Sequence, residues 1–140
     1  MTEPDFVRTW PRHCVAGTAG ADYHPDLNTG SVTHHLFKGL GEPAYSIFEG
    51  RSKAGVTMSE MLTRHQVDDV DIVGIATDHC VRASALDALA DGRRTRVFSD
   101  WVAGVCAESS RSALSELVAA GAQVELSTRA TRWVPGRVDR

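Results

Sequence analysis

The chain has 140 residues, of which 42% are hydrophobic and 24% charged, and its formal net charge is −3. That length allows one small domain with a core of its own. The mildly acidic balance, without any basic block, excludes an electrostatic reader of nucleic acid or of an anionic membrane, and the longest apolar runs are too short to span a bilayer.

The start, Met1-Thr-Glu-Pro-Asp-Phe6, is acidic and has neither the basic nor the apolar region of a secretory signal. Cys14, Cys80 and Cys106 are odd in number and not spaced as a CxxC pair, so a reduced, cytoplasmic setting is the simplest fit. Residues 1–31 hold no sustained period and are rich in Pro, Gly, Asp and Asn, which predicts a long loop. Val32 to Lys38 reads as a strand that delivers Lys38 to a glycine turn. Residues 39–55 return to loop, with Tyr45 and Phe48 as aromatic anchors. A helix is predicted from about Thr57 to Gln66, apolar at Met58, Met61 and Leu62.

Val70 to Ala76 is rich in β-branched residues and has no polar face, as expected of a strand covered on both sides in a parallel sheet. Thr77 and Asp78 are N-cap types, and Val81, Ala85, Leu86 and Leu89 recur at helical spacing until Gly92. The pattern then repeats. Thr95 to Ser99 is a strand, Asp100 to Cys106 a turn, and Ala107 to Ala120 a helix with Ala113, Leu114, Leu117 and Val118 on one face, stopped by Gly121. Val124 to Ser127 is a last strand, and residues 129–140 read as a loose basic tail. Alternating strands and helices imply one α/β domain over residues 1–140, with a parallel sheet covered by helices and a site at the strands' carboxyl ends.

Cys80 therefore stands where a buried strand gives way to a helix. The unpartnered N–H groups of a helix start stabilise a thiolate and can also hold the oxyanion formed when a thiolate attacks a carbonyl. Lys38, also at a strand's carboxyl end, is the candidate cationic partner in the same crevice. The plainer alternatives are a small buried hydrophobe for Cys80 and a solvated surface lysine for Lys38.

Four stretches carry a resemblance: Trp10-Pro-Arg-His-Cys14 with the glycine-rich run to His24, Phe37-Lys-Gly39, Ala44-Tyr-Ser-Ile-Phe-Glu-Gly50, and Gly74-Ile-Ala-Thr-Asp-His-Cys-Val-Arg82. Together they resemble the nicotinamidase/pyrazinamidase group of isochorismatase-like hydrolases, from Trp10 to about Ser127. The resemblance implies a three-layer α/β/α fold with a parallel sheet and hydrolysis of nicotinamide, and of pyrazinamide, to the acid and ammonia through a cysteine thioester. It would make Cys80 the nucleophile and Lys38 the lysine that favours its thiolate. The Ile75–Ala76 peptide would be the family's cis peptide, and the N–H groups of Ala76 and Cys80 its oxyanion hole. Trp10 and Tyr45 would wall the substrate ring, with Ile75, Ala76 and His79 beside it. His13 would be one ligand of a divalent metal, Zn, Fe or Mn.

The family's Asp-x-Gln-x-Asp-Phe motif, which bears the general acid/base, and its Asp-x-His-x5-His metal motif have no counterpart in these residues. Two central strands are thus expected to be missing from a truncated chain. The Val32 strand would then lie roughly 10 Å from the Val70 strand, whose apolar edge would be bare. Little amidase activity is expected of the chain alone. Possible partners are a missing N-terminal segment or another copy of the chain. Asp22-x-His24 lies in a loop, adjacent His34 and His35 would point to opposite faces of a strand, and His65 near a helix end would compensate the dipole, so none adds a metal ligand. The competing readings are a non-catalytic fragment or interaction module, and another cysteine amidase such as N-carbamoylsarcosine amidase. Isochorismatase itself generally lacks the nucleophilic cysteine.

Overall fold

The computed structural model describes residues 3–5 and 9–130. Most of the basic tail foreseen at residues 129–140 lies outside the described residues. The chain forms two compact units, Met1–Thr33 and His34–Arg140.

The described residues of the first unit are loop, as its composition predicts, apart from a 3₁₀ turn, Ala19–Ala21. Local bonds shape it: the Thr18 hydroxyl donates to the Val15 carbonyl at 2.7 Å, and the Asn28 side chain accepts from the Gly30 N–H at 2.9 Å. Val15, Tyr23 and Leu27 are exposed.

The second unit is built on a three-stranded parallel sheet in the order β1 (Asp69–Ile75), β2 (Arg94–Ala103), β3 (Gln123–Glu125). Helix α1 (Met58–Arg64) precedes it, α2 (Arg82–Ala90) joins β1 to β2, and α3 (Ala107–Ala119) joins β2 to β3. Thr57 caps α1 through a reciprocal capping box with Glu60. Gly92 and Gly121, at φ +80° and +104°, follow α2 and α3 in the left-handed conformation that ends helices. In the register, Ile72 pairs with Val97 and Val97 with Val124, so one apolar row crosses the sheet. That row packs on Val81 and Ala85 of the α2 segment and on Leu117 of α3, with Ala122 closing the cluster.

Because β1, β2 and β3 step in one direction, right-handed crossovers place both connecting helices on one face. The other face has a different character. Arg96, only 5% exposed, forks onto Asp71 of β1 with two bonds of 2.8 Å and reaches Glu125 of β3 at 3.0 Å. On the same side of β1, Val73 is 49% and Ile75 75% exposed. The expectation that β1 is covered on both sides is therefore corrected: among the described residues its odd-numbered positions face no second helical layer. Among the described residues β1 pairs with β2 alone, so its other edge is open.

Three further expectations change. Val32 to Lys38 forms no strand; Phe37 makes a lone antiparallel bridge to Arg51, because a strand needs a neighbour along its length and this segment meets one residue. β2 runs on to Ala103 where a turn was expected from Asp100, since past an irregularity it pairs again with Gly74 and Ile75. Val118 is exposed, because α3 buries a stripe centred on Ala113 and Leu117 and Val118 lies at its margin.

Candidate active site

β1 delivers the chain to the site. After Ile75 the peptide to Ala76 is cis, as the resemblance implied. The chain then makes a π-helical turn, Thr77–Val81, in which the Val81 N–H reaches the Ala76 carbonyl at 3.0 Å, and it passes directly into α2. Cys80 sits half-buried in this turn. Such one-turn widenings are uncommon and are often found at functional sites.

Neither Thr77 nor Asp78 caps this helix, which corrects the N-cap reading: Ala76 occupies the cap position and no side chain bonds there. Asp78 turns instead toward the start of α3. Its carboxylate accepts the N–H of Val105 at 3.1 Å, the N–H of Cys106 at 3.2 Å and the Ser109 hydroxyl at 2.5 Å. Burial pushes its pKa up, but the Ser109 hydroxyl and the Val105 and Cys106 N–H groups outweigh this and hold it below the usual 3.8. A carboxyl whose folded pKa is depressed adds stability above its unfolded pKa and loses it as pH falls through the folded one. The stability gap between the parent chain and Asp78→Asn is therefore expected to be constant from neutral pH to about pH 5 and to narrow below about 3.8. Urea midpoints of both proteins at several pH values check this; a gap that widens on acidification contradicts it.

The opposite wall comes from the loop before α1. Ser46-Ile-Phe-Glu49 forms a capping box around a 3₁₀ turn, Ile47–Glu49. The Glu49 carboxylate accepts the N–H of Tyr45 at 3.0 Å and of Ser46 at 2.8 Å, and buried Ser84 of α2 accepts the Ile47 N–H at 3.0 Å. Tyr45 is thereby fixed on both sides, since its carbonyl takes a hydrogen bond from the Lys38 ammonium. Its ring stacks on His79, centroids 5.4 Å apart at 28°. Lys38 and Cys80 line one cleft of about 460 Å³, floored by Ile72, Val81 and Ser84 and flanked by Ile75. The crevice expected from the strand ends is present, although Lys38 reaches it from a loop.

Sequence reasoning missed Asp78, Ser84 and the Ser46–Glu49 box. The last had a readable signal in its Ser-x-x-Glu spacing; the partners of Asp78 and Ser84 are distant in sequence and had none. Cys106 occupies the α3 cap position without a side-chain cap bond, and the Ser109 and Glu108 N–H groups lower its thiol pKa.

Trp10 and His13 belong to the first unit. Their rings meet edge to face at 6.5 Å, and His13 Nδ1 lies 2.8 Å from the Pro11 carbonyl. His24 pairs with Asp26. His34, expected on a strand, packs against His65 with ring centroids 4.7 Å apart, so His65 has a side-chain neighbour besides the end of α1.

Fold and site together define a parallel α/β domain with a cysteine at the strand-to-helix switch and a lysine across the cleft. The isochorismatase domain profile matches residues 2–129, and the chain belongs to the isochorismatase family. It is 46% identical over 125 residues to the nicotinamidase/pyrazinamidase of Mycobacterium tuberculosis, covering 89% of this chain and 67% of that one. Among solved structures it is similar to the pyrazinamidase of Pyrococcus horikoshii in complex with zinc, with TM-score 0.71, 37% identity, and 84% and 63% of the two chains covered. PnC1 of L. infantum in complex with nicotinate gives TM-score 0.71 at 29% identity, covering 85% and 61%. The chain thus spans about two thirds or less of the length of these relatives.

The zinc of the Pyrococcus protein poses a test for this chain's own donors. Among the described residues no three His, Cys, Asp or Glu side chains gather to hold a metal. A structural or catalytic zinc needs three or four protein ligands. His13 alone does not fit that requirement. Among the described residues no helix is long and apolar enough to cross a membrane.

Proposed function

We propose that this chain carries the nucleophile and the substrate-ring contacts of a nicotinamidase-type amidase acting on nicotinamide and pyrazinamide. The carrying observation is that Cys80, on the turn after β1, shares one cleft with Lys38, and that the ring of Tyr45, whose carbonyl accepts from Lys38, stacks on His79, the residue before Cys80. The Cys80 sulfur attacks the carboxamide carbon, the C–N bond breaks, and the thiol proton leaves with the amine as ammonia. Water then splits the thioester, releasing the acid and restoring the thiol. In this reading the Lys38 charge favours the thiolate, the Ala76 and Cys80 N–H groups receive the oxyanion, and Tyr45 and Ile75 contact the aromatic ring. Three free thiols suit a reducing, cytoplasmic compartment.

Ammonia release from nicotinamide by the 140-residue chain, beside Cys80→Ala, tests the reading. The parent is expected to be slow, and the variant to lose whatever release the parent shows. A second substrate, the p-nitrophenyl ester of nicotinic acid, has a leaving group that needs no proton, so it isolates the attack itself. Acylation of Cys80 found by peptide mass supports the proposal. Equal nitrophenol release by parent and Cys80→Ala, with no adduct on Cys80, refutes it.

A further inference from the structure

We propose that Asp78 is a positioning residue for Cys80: by binding the segment that starts α3, its carboxylate holds the Thr77–Val81 turn in which His79 and Cys80 sit. The inference rests on Cys80 being the nucleophile. Asp78 is 8% exposed and stands two residues before Cys80. The bonds its side chain accepts from Val105, Cys106 and Ser109 span 27, 28 and 31 residues, so they serve a tertiary tie. The turn has no side-chain cap of its own. Its outer end is consequently held from α3, while its inner end is held by the Ala76 carbonyl.

The approach of the two segments is built into the backbone as well. A Cβ at Gly104 would lie 3.2 Å from an Asp78 carboxylate oxygen and 3.0 Å from the Ser110 Cβ, so glycine at this position leaves the approach uncrowded. The three donors need acceptors on both carboxylate oxygens. An amide in place of the carboxylate turns its NH2 group toward N–H or O–H donors and loses at least one bond. Release of Asp78 lets the turn relax and moves the Cys80 sulfur from its place in the cleft beside Lys38.

The test is the alkylation rate of Cys80 by iodoacetamide in the intact chain, followed by peptide mass, for the parent, Asp78→Asn, Ser109→Ala and the double variant. The parent Cys80 is expected to react faster than free cysteine in the same buffer. Asp78→Asn is expected to slow it about tenfold and Ser109→Ala by a smaller factor in the same direction. Because both remove the same contact, the double variant should be no slower than Asp78→Asn alone. A merely structural role would lower the unfolding midpoint and leave the rate in the folded protein unchanged. Equal Cys80 rates in parent and Asp78→Asn, at equal far-UV spectra, overturn the inference and leave the nucleophile standing. A parent Cys80 no faster than free cysteine overturns the nucleophile reading and the inference with it. Where Asp78→Asn does not fold, Ser109→Ala decides by the same comparison.

Discussion

Leu117→Ala is expected to lower the free energy of unfolding by about 3 kcal/mol, within the range of 2 to 5 found for fully buried leucines. Leu117 is 0% exposed and belongs to the cluster that joins α2, β2 and α3 through Val81, Ala85, Val97 and Ala122. Two of those neighbours are alanines, with no long side chain to swing into the space, so the cavity persists. The effect also reaches the site. α3 carries Ser109 in its first turn, and loosening its packing weakens the tie to Asp78. Val118→Ala on the same helix is the control: Val118 is exposed, and alanine has the better helix propensity, so the change should stay within about 0.5 kcal/mol. Urea unfolding of the two variants measures both; a Leu117→Ala loss no larger than that of Val118→Ala contradicts the assigned core.

The elements that were legible in the sequence are those whose cause is local. β1 follows from a run of β-branched residues, α2 and α3 from apolar spacing, and their ends from Gly92 and Gly121, which adopt the positive φ that side chains resist. The place of Cys80 followed from the rule that parallel sheets open at their carboxyl ends; Lys38 does line the same cleft, but from a loop and not from the strand end the rule required. What failed depended on partners. Val32 to Lys38 has strand composition, yet its backbone finds only Arg51 opposite Phe37. Ile75 and Val73 read as core because they are apolar, but burial requires a covering layer, and the helices that follow β1 lie on its other face. Asp78 looked like an N-cap from its position before a helix, but the backbone N–H groups it accepts are those of Val105 and Cys106, just before α3. No local pattern distinguishes the two, because a carboxylate serves whichever donors the tertiary fold brings to it.

Gly50→Ala is expected to destabilise the second unit by about 2 kcal/mol, the cost of overpacking against groups that cannot swing away. Gly50 has φ −88° and ψ 168°, a conformation open to alanine, so the penalty is not conformational. It is steric: an added Cβ would stand 2.9 Å from the Phe37 carbonyl oxygen and 3.0 Å from that of Ile47, both backbone. Relief requires the Phe37–Arg51 bridge, with bonds of 2.8 and 2.9 Å, to open or the 3₁₀ turn Ile47–Glu49 to shift. Either motion acts on the site, because Lys38 follows Phe37 in the chain and Tyr45 is bonded through its N–H to Glu49 of that turn. The stack of Tyr45 on His79 should loosen, and the His79 ring protons should lose the shift that the neighbouring ring imposes. Proton NMR of the parent and the variant reads the stack, and urea midpoints read the stability. An unshifted His79 spectrum together with a large loss of stability would separate the fold of this loop from the placing of Tyr45, and would show that the tyrosine is held by the Lys38 contact rather than by the capped turn.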